Sequence, residues 1–203
     1  MNGAFSSPLH LNLIRGRPVR LGGIALALVL AASANVKAAG NQVRVTAQVE
    51  NGAVRVEAQA LLRATLPVVW QTLTDYEHLN SFIPGMATSK LIERRGVAAI
   101  VEQTGEARFL FFSYPLDVTV SSEEYPPYSI RIHVLKGNLK RLDGGYEIIP
   151  LPDGQIDLHW RGIIEPDIFL PALFTKPLLR SVVEAQFRGM VAEIRRRSDL
   201  QVR

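Results

Sequence analysis

The chain has 203 residues, enough for one domain with a full core. Hydrophobic residues make up 47% and charged residues 21%, ordinary for a globular protein, and there is no cysteine. That excludes a disulfide framework, a thiol nucleophile and a cysteine-borne lipid. The formal charge of +4 does not point to nucleic acid. Arg15, Arg17 and Arg20 lie in a leader without acidic residues, and setting them aside from the 23 basic residues leaves near balance with 19 acidic ones.

The leader carries those arginines, then an uninterrupted apolar run from Leu21 to Ala32, then small residues. This is the order of a secretory signal: n-region, h-region, cleavage site. Ala32-Ser33-Ala34 offers one cleavage site and Val36-Lys37-Ala38 a second. The run is shorter than the roughly 20 residues a spanning helix needs. Gly16 separates Arg15 from Arg17, so the signal is not of the twin-arginine kind. The expectation is a signal peptide over 1–38, cleaved near Ala34 or Ala38, and a periplasmic domain over 39–203.

Gln42 to Arg63 alternates around Asn51-Gly52, the strongest short signal for a β-hairpin. Thr65 offers an N-cap and Pro67 sits in the first turn of a short helix that turns Val69, Trp70 and Leu73 inward. Asp75 to Leu79 reads as a second short helix, and Phe82-Ile83-Pro84-Gly85-Met86 as a loop. Strands follow at about Lys90–Arg94, Val97–Ala107, Arg108–Ser122, Ser129–Leu135, Arg141–Pro150 and Gln155–Glu165, separated by turn signals such as Arg95-Gly96 and Pro152-Asp153-Gly154. Alternation as in Ile130/Ile132/Val134 predicts an antiparallel sheet with one buried and one wet face.

The last stretch, Pro171 to Arg197, carries an amphipathic stripe: Leu179, Val182, Val183, Gln186, Phe187, Met190, Val191 and Ile194. Its opposite face holds Arg180, Ser181, Glu184, Arg188, Glu193 and Arg195, with Glu184–Arg188 and Glu193–Arg197 as favourable pairs. Because an interior proline breaks the hydrogen-bond ladder, the pattern predicts a short turn to about Lys176 and a helix from about Pro177.

Strand, short helices, strands and one long helix make an α+β order. It resembles the helix-grip fold of the START-like (SRPBCC) superfamily, over about Val43 to Arg197. Val69-Trp70, Leu73-Thr74-Asp75-Tyr76, Phe82-Ile83-Pro84-Gly85 and Gly144-Gly145-Tyr146-Glu147 look like the bacterial polyketide cyclase/dehydrase and coenzyme Q-binding branch. The resemblance implies a curved antiparallel sheet wrapped on the long C-terminal helix, enclosing an apolar cavity. Two short helices close one end and strand loops form the mouth.

The residues carry no enzyme constellation. His78, His133 and His159 match no metal-binding spacing, and the two strand histidines fall on the polar phase, which predicts solvation. No motif places a serine with Asp157 and His159, and Gly144-Gly145 is not followed by a helix that could hold a phosphate. Trp70, Tyr76, Phe82, Phe111, Tyr146, Trp160, Phe174, Val182 and Phe187 fall on apolar stripes or beside them, as core or as cavity wall. Gln103 and Gln186 break those stripes, and a buried amide needs a partner, from the protein, a water or a ligand. These eleven are the candidate ligand-binding residues; no metal or cofactor is expected.

The reading is a protein that binds a hydrophobic small molecule or lipid without covalent chemistry. The coenzyme Q-binding resemblance implies a quinone or isoprenoid type. A cyclase or dehydrase working on a polyketide-like substrate in the same cavity is the alternative, and a protein-interaction module is a second. Phe169 to Phe174, followed by Lys176 and Arg180, is a candidate for transient membrane contact. The Phe82–Met86 loop is a second candidate for the mouth, with its adjacency to the start of the long helix a separate expectation.

Overall fold

The structure, a computed structural model, describes residues 43–110, 112–168 and 172–201. The leader with both cleavage sites, Phe111, Phe169, Leu170 and Pro171 lie outside the described residues.

Asn51 and Gly52 both take positive φ and close the hairpin of β1 (Arg44–Glu50) and β2 (Ala53–Leu62). This is the geometry a two-residue hairpin turn demands. α1 (Leu66–Leu73) follows with Pro67 in its first turn. Thr65 occupies the N-cap position but makes no side-chain cap bond; instead Thr72 and Thr74 bond back to Val68 O at 2.7 Å and Trp70 O at 2.9 Å. A 3-10 helix, Tyr76–Ser81, takes the place of the second short helix.

Six strands complete the sheet: β3 (Met86–Arg95), β4 (Ala98–Phe109), β5 (Phe112–Tyr125), β6 (Ser129–Gly137), β7 (Leu139–Pro150) and β8 (Ile156–Pro166). All are antiparallel, in the order β1-β2-β8-β7-β6-β5-β4-β3. The sheet curves without closing, so β1 and β3 remain its edges, and α2 (Ala172–Gln201) lies on the concave face. This is the helix-grip arrangement expected from the sequence.

Three expectations need correction. The β4–β5 turn falls beyond Phe109, not at Arg108, because Leu110 adopts φ 55° inside an apolar run that holds no turn residue. Met86 opens β3 instead of ending a loop. The long helix begins at Ala172, with Pro177 inside it. Pro177 lacks only the bond that would reach Leu173 O, and Leu173 is exposed, so water can satisfy that carbonyl.

The stripe of α2 is buried as its period predicts: Leu179, Val183, Phe187, Met190, Val191 and Ile194 all join the core. Glu193, expected on the wet face, is buried. Its carboxylate accepts from Arg196 Nε at 2.7 Å, Arg196 Nη2 at 2.8 Å and Arg197 Nε at 2.7 Å. Arg197 reaches on to Asp75 at 2.7 Å and lies 5.5 Å over the ring of Phe82. One guanidinium thus ties the end of α2 to the 3-10 helix. Higher up, Gly189 lets the chain pass close by: a β-carbon there would lie 2.6 Å from Pro84 Cδ. The Phe82–Met86 stretch therefore packs on the middle of α2, not on its start.

Candidate ligand cavity

Inward residues of neighbouring strands fall in rows across the sheet. Glu124, Ile130, Tyr146, Trp160 and Ala58 make one row; Ser122, Ile132, Gly144, Gly162 and Val56 make the next. The second row has two glycines at its centre. At Gly162 the space is taken by Trp160, whose Cη2 would lie 2.5 Å from an added β-carbon. The indole thus folds along its own strand. Gly144, which also lines the cavity, admits no side chain: a β-carbon there would lie 2.5 Å from Arg161 O.

The result is an internal cavity of about 190 Å3, counted as positions open to the centre of a water molecule. At roughly 10–15 Å3 per water on that measure, it holds on the order of a dozen waters or a small organic molecule of similar atom count. Leu73, Tyr76, Leu79 and Ile83 of α1 and the following 3-10 segment close one end. Ala107, Leu116, Leu139, Pro166 and Leu178 line the other, near the end of β4, the start of β5 and β7, the end of β8 and the first turns of α2. No charged side chain lines it among the described residues.

Tyr76, Gln103, Tyr146, Trp160, Val182, Gln186 and Phe187 all line this cavity. Trp70, Phe82 and Phe174 do not. Trp70 is about 100° round α1 from the buried Val69 and packs against the core from the side. Phe82 packs half-buried against the core under Arg197, and Phe174 is half-buried on the first turn of α2. Sequence reasoning missed Tyr114, Ser122 and Met190 as lining residues. The continued alternation of Val118, Val120 and Ser122 marks the serine, but the expected strand ended there.

The polar groups differ in how they are satisfied. Tyr114 donates to Asn138 O, and Asn138 in turn accepts from Asp117 N at 3.0 Å, pinning the rim. Gln103 Nε2 lies 3.5 Å from Ser89 Oγ, a contact at the limit of a hydrogen bond. Tyr76 Oη is buried beside Glu124 and Ser122 but makes no hydrogen bond of good geometry among the described residues. Burial pushes its pKa up, nearby Glu124 adds to this, and Ser122 and Arg94 oppose it. Glu124 is itself held by Arg94 at 2.8 Å. Burial pushes the pKa of Tyr146 up. Both phenols are neutral donors at any physiological pH.

Outside this cavity, a groove runs between Pro84–Ala87, Gly105–Arg108 and Ser181–Ala185. Met86 and Val182 line both spaces and form the wall between them. On the opposite face of the sheet His159 is not solvated: its Nε2 lies 2.9 Å from Asp157 Oδ2, and Arg161 Nη2 lies 3.2 Å from its Nδ1. Gln59 donates to both Asp157 oxygens, at 3.0 and 2.9 Å. Nε2 is buried and close to that carboxylate without hydrogen-bond geometry, so the contact is one of charge. No group of three or more metal-ligating side chains occurs, and no helix is long and apolar enough to cross a membrane, among the described residues.

Residues 62–191 match the family model of polyketide cyclase / dehydrase and lipid transport proteins. The chain belongs to that family. No curated protein matches it. Among solved structures it is similar to a STAR-related lipid transfer protein from Xanthomonas axonopodis, at 14% identity and a TM-score of 0.62, covering 75% of this chain and 93% of that one. An aromatase/cyclase from Streptomyces sp. R1128 gives 15% identity and a TM-score of 0.62, covering 74% and 96%. A protein from Thermus thermophilus gives 14% and 0.59, covering 69% and 96%. At such identities these structures establish the fold. The fold is the START-like helix-grip, and family and fold together support binding of a hydrophobic small molecule, as in lipid transport or polyketide cyclisation.

Proposed function

We propose that the protein is an exported carrier that holds one apolar molecule, of quinone or isoprenoid type, in the cavity under α2 and releases it at another apolar surface. The observation that carries this reading is the cavity itself: partly open, mostly apolar, and lined by no carboxylate, imidazole or amine among the described residues. Binding needs only that shape and a few polar contacts. Cyclisation or dehydration draws on general acids and bases, and the lining groups, phenols and amides, do not titrate near neutrality. Export rests on the leader, with its arginines, its apolar run and its small-residue sites.

Release at a membrane would begin at the start of α2, where Leu173 is 77% exposed. Lys176 follows within one turn, placed for anionic head groups. Leu173→Asp serves this test better than a change at the half-buried Phe174. The experiment is transfer of a fluorescent isoprenoid quinone between vesicles containing anionic lipid. The wild-type protein speeds transfer in proportion to its concentration, and Leu173→Asp slows it without moving the melting temperature. A wild-type protein that leaves transfer at its spontaneous rate overturns the carrier reading. Conversion of a polyketide-like substrate by the purified protein would establish the cyclase instead. Intact-mass measurement of the processed protein tests export: a start near Asn35 or Ala39 agrees, and a full-length product does not.

A further inference from the structure

Three polar side chains reach the inner part of the cavity wall: Tyr76, whose hydroxyl is buried without a hydrogen-bond partner among the described residues, and the half-buried Tyr146 and Gln186. Buried polar groups in native proteins are nearly always bonded, and each one left alone costs about 1–3 kcal/mol. Phenylalanine and leucine would fill the same space at no such cost. What the cavity takes in can bond to all three.

Their position is as informative as their number. Tyr76 belongs to the 3-10 helix at the closed end. Tyr146 pairs with Ile130 and shares its row with Glu124, beside the β5–β6 turn at that same end. Gln186 lies about 21 Å along α2 from Ala172 at 1.5 Å per residue, far from the β8–α2 junction. The other half is lined by Ala107, Leu116, Leu139 and Leu178, and its one hydroxyl among the described residues, on Tyr114, is already bonded to Asn138 O. The cavity thus has a hydrogen-bonding inner half and an apolar outer half.

Resting on the carrier reading, we propose that the ligand is a neutral molecule with a carbonyl, phenol or alcohol oxygen at one end and a hydrocarbon remainder. It is held oxygen-inward by Tyr146 and Gln186, with Tyr76 beyond. Neutral phenols donate, and an amide both donates and accepts, so the set matches a ketone or hydroxyl oxygen. It does not match an anion. The described lining holds no cation, and Arg94, beside Tyr76, is engaged with Glu124. A fatty-acid carboxylate or phosphate at that depth would be buried without a counter-charge.

Equilibrium dialysis of the purified protein against three probes of matching size tests this. They are 2-methyl-1,4-naphthoquinone, the hydrocarbon 2-methylnaphthalene and the anion 2-naphthoate. The wild-type protein should bind the quinone about tenfold more tightly than the hydrocarbon, the ratio one recovered hydrogen bond gives, and the anion least. Tyr146→Phe and Gln186→Leu should each lower the affinity for the quinone several-fold and leave that for the hydrocarbon unchanged. Equal wild-type affinity for quinone and hydrocarbon, or a ratio that neither variant moves, overturns the proposal while leaving the cavity as a hydrocarbon site. Tightest binding of the anion overturns the neutrality. If none of the three binds, the carrier reading fails with it. Melting of the ligand-free variants is the second measurement. Tyr146→Phe should melt at or above the wild-type temperature, and a clear fall would show the hydroxyl already bonded within the protein.

Discussion

Glu193→Gln should weaken the fold at neutral pH and hardly at all in acid. The carboxylate is buried on α2 and accepts three guanidinium N–H bonds. The Arg196 bonds lower its pKa most, burial opposes them, and Arg197 lowers it further, to about 2 from an ordinary 4.5. At about 1.4 kcal/mol for each tenfold change in proton affinity, that is roughly 3 kcal/mol of native-state stabilisation. Arg196 is 61% exposed, so water screens its share, and about 2 kcal/mol is the working figure. Because the folded pKa lies below the unfolded one, this stability is present above pH 4.5 and is lost as the pH falls toward 2. Glutamine keeps the shape but not the charge. Urea unfolding of both proteins should show a gap of about 2 kcal/mol at pH 7 that shrinks to a small packing residue near pH 2. A gap of the same size at both pH values, or none at pH 7, would refute the electrostatic account of the clamp between α2 and the 3-10 helix.

Phe187→Ala should cost about 3 kcal/mol, the low end for a buried phenylalanine because one side already borders empty space. The same change should weaken binding of an apolar ligand, and an unchanged denaturation midpoint would place the ring elsewhere. Gly162→Val should expel the Trp160 indole from its place along β8, shifting the tryptophan emission; an identical spectrum would contradict that packing. Met86→Ala should speed both uptake and release with little change in affinity, since Met86 and Val182 are, among the described residues, the two common to the cavity and the outer groove. Unchanged rates in stopped-flow measurements would send the ligand through the far end instead.

The hairpin and the stripe of α2 were legible because their signals are local. Asn51-Gly52 demands positive φ at both positions, and the spacing of Val183, Phe187, Met190 and Ile194 selects one helix face. Gln186 and Gln103 stood out for the same reason, since each interrupts an apolar period. What sequence could not supply was the partner of a residue distant in the chain. Glu193 read as wet because its spacing put it beside Arg195 and Arg188; Asp75, brought near by the fold, draws Arg197 and the carboxylate inward together. Trp70 and Phe82 read as cavity wall because they are aromatic and sit beside buried positions. Which way each ring turns depends on contacts that no local pattern records. The β4–β5 turn was misplaced because Leu110 takes a left-handed conformation that its residue type disfavours, so nothing local announces it.

The most direct test of the central claim is native mass spectrometry of the protein purified without detergent from cells that export it, followed by solvent extraction of whatever it carries. The account predicts one neutral apolar molecule bearing oxygen per chain, at lower occupancy in Tyr146→Phe and Gln186→Leu variants that remain folded. A ligand-free protein that also fails to take up any apolar compound in solution would contradict it.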